Sequence, residues 1–425
     1  MKTIYAFLAA LLSAGQALNA QTPYRTQVFE HKHIKSLQIL QPEQTFSIPV
    51  LALNSDAQLE FVFDDFLNAH SRYAYSIIHC NADWQPSDLS PIEYLDGFQD
   101  LTIDDFANSM ATTTQYTNYR LFLPNDDIQF KVSGNYVLKV YPEDDPERIV
   151  LTACFQVVEP QIQISAEVTG NTNIDTYQRH QQVNFVLNTK NFQIAYPQSD
   201  IKICVTQNNR TDNAVTNIKP SGILDGQIVY ENIPELIFPA GNEYRRIEFL
   251  SNKYNGMRVE NISFHNPFYH VTLLKDFPSA MSSYEYDQDQ NGRFYVNSSG
   301  STDPDTEADY YFVHFTLAMP EAKQGKVYLN GEAFHNLFNE ETEMSFNHET
   351  NQYEKSMLLK QGNYNYQYLY VPNGETKGRT DAIEGDFHQT ENEYCIYVYY
   401  RPMGARYDRL IGVSSISNLR EKQLQ

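Results

Sequence analysis

Apolar and polar positions alternate with a period of two along most of the chain, which predicts β-strands. From residue 36 onward, short runs such as SLQIL (36–40), AQLEFVFDDF (57–66) and YAYSIIHC (73–80) alternate or are continuously apolar, and prolines and Asn-Ser-Asp turns separate them. Successive side chains of a strand point to opposite faces, so this period indicates half-buried strands. About seven such runs over roughly 125 residues are typical of a β-sandwich.

The pattern continues to the C-terminus and predicts three all-β units in tandem, of the Ig-like or β-sandwich type. We expect an N-terminal sandwich over 21–160, a second over 161–277, and a C-terminal one over 278–425, whose layout resembles early-set Ig-like domains, including some glycogen- and starch-binding modules. Inside the first unit, 103–110 is expected to be a short helix or an irregular crossing. The polar interval 207–225 predicts a long hairpin or loop.

The N-terminus has the pattern of a secretory signal peptide. Lys2 is followed by the apolar run Ile4–Leu12, and Ala20 is a small residue before a cleavage point at Gln21. The apolar run is too short to span a membrane, and no cysteine lies near the cleavage point to carry a lipid. Residues 1–20 are therefore expected to be removed, and the mature protein is expected to be soluble outside the cytoplasm.

Charge and composition narrow the classes of partner. The formal net charge is −22, with 31 Lys and Arg against 53 Asp and Glu. An acidic surface repels phosphate backbones and anionic lipid headgroups, which argues against nucleic-acid binding and against docking on a membrane surface. The chain holds 31 Tyr and 25 Phe but one Trp, a composition that favours strands.

Two short motifs have the residue types of metal sites. His31 and His33 would share one face of a strand, or else form a solvated edge strand. Asp287–Gly292 resembles the start of a calcium loop, but its twelfth position is Ser298, where that loop needs a bidentate Glu. A hairpin turn at Asn291–Gly292 is the favoured interpretation, and we predict no metal and no cofactor.

The sequence contains no nucleophile elbow, zinc-protease, P-loop or dinucleotide-binding motif, so no catalytic residue is predicted. Carboxylates cluster near Trp84 and could act as a glycosidase pair, although nothing fixes their separation; they are Asp83, Asp88, Glu93 and Asp96. Trp84 itself is either a ligand anchor or, the favoured interpretation, a core residue at a strand end.

A tyrosine stripe offers a second candidate binding surface. Alternate residues of one strand share a face, and this stripe comprises Tyr364, Tyr366, Tyr368 and Tyr370. Exposed, it could stack on sugar rings; buried, it would pack between sheets. A second band, made of Tyr394, Tyr397, Tyr399 and Tyr400, shows that this whole part of the chain is rich in tyrosine.

Four cysteines lie within or at the end of apolar runs, without metal-site or redox spacing: Cys80, Cys154, Cys204 and Cys395. Export permits disulfides. Buried free thiols are the favoured prediction, and a Cys80–Cys154 bridge is the alternative.

Several segments of the first unit resemble one known family. IIHCNADWQPSDL (77–89), EYLDGF (93–98), NSMATTTQYTNYRLFLPN (108–125) and KVSGNYVLKVY (131–141) occur in the order found in the N-terminal domain of the plug proteins of the type IX secretion system. YDQDQNGRFYV (286–296) and RYDRLIG (406–412) resemble later parts of the same family.

The resemblance implies a periplasmic, non-enzymatic protein of Bacteroidetes-type bacteria. Its expected partner is the giant outer-membrane β-barrel translocon, whose periplasmic opening it would bind and seal, associated with the outer membrane through the translocon without inserting into it. We expect a monomer when free. The alternative is an exported carbohydrate-binding or carbohydrate-cleaving β-sandwich protein, based on the third unit and the tyrosine stripe.

Overall fold

A computed structural model describes residues 22–42, 44, 46–67 and 71–418. The expected signal peptide, residues 1–20, lies outside the described residues. Among those described, the regular elements are 30 strands and a few single-turn helices, which confirms the prediction of an all-β, sandwich-like fold. No described helix has the length and apolar character needed to cross a membrane.

The first sandwich comprises strands β1 to β12 and the helical turn α1. Their bounds are β1 (Gln27–Val28), β2 (Ile34–Leu40), β3 (Val50–Ala52), β4 (Leu59–Asp65), β5 (Tyr73–Cys80), α1 (Pro91–Tyr94), β6 (Leu95–Gly97), β7 (Leu101–Thr102), β8 (Asp105–Asn108), β9 (Thr117–Leu123), β10 (Ile128–Phe130), β11 (Gly134–Pro142) and β12 (Leu151–Val158). One sheet has the order β1-β12-β11-β5-β7, with β3 also paired to β12, and the facing sheet has the order β2-β4-β9-β8. Both contribute to one core, exemplified by Phe61 and Phe155, whose rings meet edge to face at 5.4 Å.

The second sandwich begins with β13 to β19 and ends with the last two strands of the chain. Its elements are β13 (Gln163–Thr169), β14 (His180–Asn188), α2 (Pro197–Asp200), β15 (Ile201–Gln207), β16 (Val215–Thr216), β17 (Gly222–Leu224), β18 (Gln227–Tyr230), a 3-10 turn (Pro234–Leu236), β19 (Ile237–Pro239), β29 (Glu393–Tyr400) and β30 (Arg409–Ser417). Its sheets have the orders β13-β14-β18-β17, with β19 beside β14, and β16-β15-β29-β30.

The third sandwich lies in sequence between β19 and β29. Its elements are β20 (Arg245–Phe249), β21 (Val259–His265), β22 (Phe268–Leu273), β23 (Phe294–Val296), α3 (Pro304–Glu307), β24 (Tyr310–Ala318), β25 (Gly325–Asn330), a 3-10 turn (Glu332–Phe334), β26 (Ser345–Asn347), β27 (Gln352–Lys360) and β28 (Gly362–Pro372). A five-stranded sheet, β21-β22-β24-β27-β26, faces the sheet formed by β20, β23, β25 and β28.

This topology corrects the expected boundary between the second and third units. Strand β29 pairs antiparallel with β15, from Ile201↔Tyr400 to Gln207↔Tyr394, so β29 and β30 complete the second sandwich. The divisions 161–277 and 278–425 therefore cut across the sheets. Periodicity identifies strands but carries no information on which strand lies beside which, and here the partner is about 190 residues away in sequence.

One local expectation also differs from the structure, and another is confirmed. The segment 103–110 contains the edge strand β8, paired with β9, instead of a helix or irregular crossing. The polar interval 207–225 contains β16 and β17, and β16 pairs antiparallel with β15, so the predicted long hairpin is present. The relation of the third sandwich to Ig-like domains stays a prediction.

Candidate functional site

The three sandwiches meet around one cavity of about 500 Å³. The first sandwich contributes one wall from β2 and β12 and the turn at Trp84. The second contributes the outward face of β15 and β29, and the third contributes the residues around Phe294 and His335. A concave site of this volume between domains is the commonest place for a ligand, so this cavity is the candidate functional site.

Trp84 lies at the rim of this wall and not in the core, which corrects the favoured interpretation. It is half-buried and has φ of +61°, in a tight turn in which its amide donates to Asn81 O at 2.9 Å. Its carbonyl accepts the amide of Tyr24 at 3.2 Å. An L-residue rarely adopts this left-handed conformation, and here it directs the indole to the cavity and not between the sheets.

The second sandwich presents a strand that is buried on both faces. Ile396 and Val398 of β29 point into the core of the second sandwich, while Tyr397 and Tyr399 point the other way and pack against Val158 of the first sandwich. Tyr399 also donates to Asn135 Oδ1 across this junction at 2.7 Å. The continuously apolar run YCIYVYY follows from this double burial.

The wall from the third sandwich carries ionisable groups away from bulk water. Arg293 forms an ion pair with Glu393 of β29. Burial raises the pKa of Glu332 above its usual value, and burial lowers the pKa of His335 to about 4. The imidazole of His335 is therefore neutral at physiological pH, and it is available as a hydrogen-bonding group at the cavity.

The first and third sandwiches are joined by a buried ion pair. The side chains of Asp64 and Lys360 are 1% and 2% exposed, and Lys360 Nζ lies 2.6 Å from Asp64 Oδ2. Tyr310 donates to the same oxygen at 2.5 Å, and Asn118 donates to Oδ1 at 2.8 Å. The ammonium also lies 4.3 Å from the ring centre of Tyr116. Because all of these donors face one carboxylate, the junction has one defined geometry.

A second polar junction lies beside the first. Arg120 of β9 donates to Asp303 Oδ1 and Asp305 Oδ2, each at 2.9 Å, and the amides of Thr113 and Thr114 donate to the carboxylate of Asp309. Together with the apolar contact of β29 against the first sandwich, these bonds hold the three units around the cavity.

The tyrosine stripe is buried. Tyr364, Tyr366 and Tyr368 are 2%, 0% and 0% exposed, and the hydroxyls of Tyr366 and Tyr368 both donate to Asp276 Oδ2 at 2.7 Å. Tyr370 packs half-buried against the same core. These rings fill the space between the two sheets, so the stripe offers no stacking platform for a sugar.

The carboxylates near Trp84 do not form a glycosidase-like pair in a cleft. All four side chains are exposed, and only Asp83 borders the cavity. Glu93 accepts the amide of Ser90 at 2.9 Å and pairs with Arg406. The hydrogen bond from the Ser90 amide has the largest effect and that from the Arg406 guanidinium the next largest, and together they lower the pKa of Glu93 to about 2. A carboxylate held in its charged form is unsuited to general acid catalysis.

The two candidate metal motifs have structural roles. His33 is not on a solvated edge strand; it sits in the turn before β2 and bonds to Asp65 at 3.0 Å and to Glu30. Asp289 of the calcium-like segment accepts amides from Tyr244 and Asn291. No three His, Cys, Asp or Glu side chains within the described ranges come together as a metal site.

The expected turn at Asn291–Gly292 is present, with φ of +52° and +85°. The hairpin expected to follow it is not, because β23 pairs with β28 and not with a preceding strand.

All four cysteines are free thiols, as favoured from the sequence, and burial raises their pKa values above the usual range. The alternative Cys80–Cys154 bridge is wrong, because β5 and β12 flank β11 on opposite sides. Two strand spacings are about 9.6 Å, beyond the reach of a disulfide. Cys154 and Cys204 border the cavity from the first and second sandwiches.

Sequence reasoning missed the residues that build the junction. Asp64 and Asp65 are visible in the sequence as charges at the end of an apolar strand, and charges that are buried need partners. Lys360 ends β27 in the same way. Their pairing crosses 296 residues of chain, so no local pattern predicts it.

Two large apolar side chains of the first sandwich are exposed outside the cavity. Ile92 in α1 and Phe98 just after β6 are each 77% exposed, and neither lines the cavity. Large apolar groups at this exposure are unfavourable in water, so both residues are candidates for contact with a partner.

Comparisons with known proteins identify the family. Residues 34–159 match the family described as the type 9 secretion system plug protein 1st domain. A crystal structure of a hypothetical protein from Parabacteroides merdae ATCC 43184 is 61% identical, with a TM-score of 0.92, and the match covers 94% of this chain and 100% of that one. The comparison with curated proteins gives no match. The first sandwich of this chain therefore belongs to the plug protein family of the type IX secretion system, a family of structural components of the secretion machinery and not a known family of enzymes.

Proposed function

We propose that this protein binds the periplasmic opening of the type IX outer-membrane translocon and seals it when no substrate is passing. The match of residues 34–159 to the plug domain is the observation that carries the proposal. The protein would act in the periplasm, as a monomer when free, attached to the outer membrane only through the translocon and without catalysis or a cofactor.

The architecture supports a sealing role on physical grounds. A pore that passes folded proteins is wide, so its seal must be a body that does not open at internal hinges. Interfaces between domains usually permit relative motion unless they are large and well packed. Here the junctions contain the buried Asp64–Lys360 pair and the apolar contact of Tyr397 and Tyr399 against the first sandwich.

Ile92 and Phe98 are our candidates for the contact with the translocon. They belong to the plug-family domain and are each 77% exposed. Burying two such side chains at an interface contributes roughly 1.5–3 kcal/mol each. Leu224 in the edge strand β17 is 62% exposed and lies outside the family match, so it provides a matched control.

Affinity capture from outer-membrane extracts of the producing bacterium tests the proposal. The tagged wild type is expected to recover a very large β-barrel protein. The double variant Ile92→Asp with Phe98→Asp should recover much less of it, and Leu224→Asp should recover as much as the wild type.

A second test is the permeability of the outer membrane. Deletion of the gene should let a large antibiotic such as vancomycin cross this membrane. Capture without any large barrel, together with an intact permeability barrier in the deletion strain, would refute the proposal.

The carbohydrate alternative loses one of its two supports. A tyrosine stripe must be exposed to stack on sugar rings, and three of the four rings are no more than 2% exposed; only the layout of the third unit still favours it.

A further inference from the structure

An unpaired strand edge borders the cavity at the junction of the sandwiches. Strand β2 is the terminal strand of the sheet β2-β4-β9-β8, and its four consecutive residues Leu37–Leu40 all line the cavity. Consecutive side chains point to opposite faces, so a strand that lines a cavity with consecutive residues meets it edge-on. In the described part of the chain, the backbone of Leu37–Leu40 has no hydrogen-bond partner beyond its pairing with β4.

Free strand edges are usually blocked or covered, because they accept any extended chain that reaches them. This edge has neither a proline nor a lysine at 37–40. It is instead recessed between three sandwiches, where another folded sheet cannot approach but a single extended segment can. Four residues of strand span about 13 Å, and a cavity of about 500 Å³ is within the range of peptide and ligand sites.

Two residues that line this cavity each carry a buried polar atom without a hydrogen-bond partner within the described residues. Gln156 of β12 is 8% exposed and Thr206 of β15 is 7% exposed, both line the cavity, and neither Gln156 Oε1 nor Thr206 Oγ1 has a hydrogen-bond partner within the described residues. A buried polar atom left unpaired costs about 1–3 kcal/mol. A bound molecule that presents a donor to the Gln156 oxygen and a polar group to the Thr206 hydroxyl would recover that energy.

The chemistry of the cavity walls indicates which kind of extended peptide segment could bind beside β2. Trp84 and Tyr397 provide aromatic surface, which suits aliphatic or aromatic side chains. Of the cations that line the cavity, Lys202 and Arg293 are already neutralised by Asp408 and Glu393. The charge of the third, the exposed Arg25, is balanced in the net count by that of the exposed Asp83. The carboxylate of Glu332 forms no ion pair within the described residues, and the whole protein carries a net charge of −22. A neutral or basic segment is therefore favoured over an acidic one.

We propose that this cavity is a receptor for an extended, neutral or basic segment of another polypeptide, which adds to the free edge of β2 while its side chains contact Trp84 and Gln156. Main-chain pairing with β2 would provide affinity, and the aromatic and amide groups would provide specificity. This inference assigns the protein a peptide-binding activity beyond sealing, at a site about which the plug role by itself says nothing.

A library of random dodecapeptides displayed on phage, selected against the immobilised full mature chain, tests the proposal. Selected sequences are then synthesised with a fluorophore, and their affinities are measured by fluorescence polarisation. We expect enrichment of sequences without acidic residues. Their affinity should fall about tenfold, the worth of roughly 1.4 kcal/mol, for Gln156→Leu and for Trp84→Ala, and should be unchanged for Gln129→Leu at an exposed glutamine of β10.

Two further measurements keep the outcome decisive. Gln156→Leu replaces an unpaired buried acceptor with an apolar group of similar shape, so it should leave the unfolding midpoint unchanged or higher, and a weakened affinity then reports the site and not the fold. A scan of N-methylated peptides should weaken binding at every second position, because only alternate amides of an added strand face β2.

The proposal is overturned if no sequence is enriched, if selected peptides bind Gln156→Leu and Trp84→Ala as well as the wild type, or if the N-methyl scan shows no period of two. These assays use purified protein without the translocon. Their failure would leave the capture and permeability results intact, and the two proposals are therefore tested separately.

Discussion

Replacing Lys360 by Met is expected to weaken the whole molecule more than any surface substitution. Lys360 Nζ reaches Asp64 Oδ2 and Asp305 O, each at 2.6 Å, from a side chain that is 2% exposed. Methionine retains the apolar stem and removes the charge and its donors. The carboxylate of Asp64 would then remain in the junction with only the neutral donors Tyr310 and Asn118.

The expected loss is about 3–5 kcal/mol, the range for removing one partner of a buried ion pair. Asp64→Asn is expected to cost about 3 kcal/mol by the same argument, with Lys360 still bound to Asp305 O and close to the ring of Tyr116. The double variant leaves no uncompensated charge. It should therefore cost about 2 kcal/mol and not the sum of the two single losses.

Urea unfolding, followed by far-UV circular dichroism and by the fluorescence of Trp84, measures these free energies. Coincidence of the two signals checks that the three sandwiches unfold together. Arg72→Met is the control, since Arg72 pairs with Glu143 at a side-chain exposure of 65% and 41%, and it should give no resolvable change. A loss below about 1 kcal/mol for Lys360→Met, or additive losses in the double variant, would refute the reasoning.

Three other outcomes follow from buried groups. Tyr366→Phe removes a 2.7 Å bond to Asp276 Oδ2 and should cost about 2 kcal/mol in urea unfolding, whereas an unchanged stability would contradict the buried stripe. Burial raises the pKa of Glu243 to about 8 from its usual 4.5, so the folded state retains a proton that the unfolded chain releases. Stability should therefore fall as pH rises from about 5 to 8, and thermal midpoints of Glu243→Gln should show less of this dependence; equal dependence in both proteins would exclude Glu243 as its source. Cys80 and Cys395 are 0% exposed with raised pKa values and should resist Ellman's reagent at pH 8 until urea exposes all four thiols, so rapid reaction of all four in the native protein would be inconsistent with the structure.

The class of fold and the family were accessible from the sequence, since both depend on local pattern. The two-residue period at 57–66 and 73–80 corresponds to β4 and β5, and the ordered segments from 77 to 141 indicated the family that the match over 34–159 confirms. The candidate site was not accessible. A lone indole near a strand end is usually buried, so the sequence favours a core position for Trp84. The left-handed turn that directs this side chain to the cavity is not encoded by any recognisable dipeptide.

By itself, the sequence determined the strands and which of their residues share a face, because the pleat of a strand converts a period of two directly into two opposite faces. It did not decide that the tyrosine stripe is buried, which follows from the packing of one sheet on the other. Tertiary structure alone decided which strands are neighbours. The pairing of β29 with β15 across the inserted third sandwich, the ion pair between Asp64 and Lys360, and the cavity at β2 all join residues that are far apart in the chain. Such contacts depend on the shapes of complete, packed sandwiches. No window of neighbouring residues contains that information, since the energy that selects the contacts arises only when buried surfaces from separate units meet.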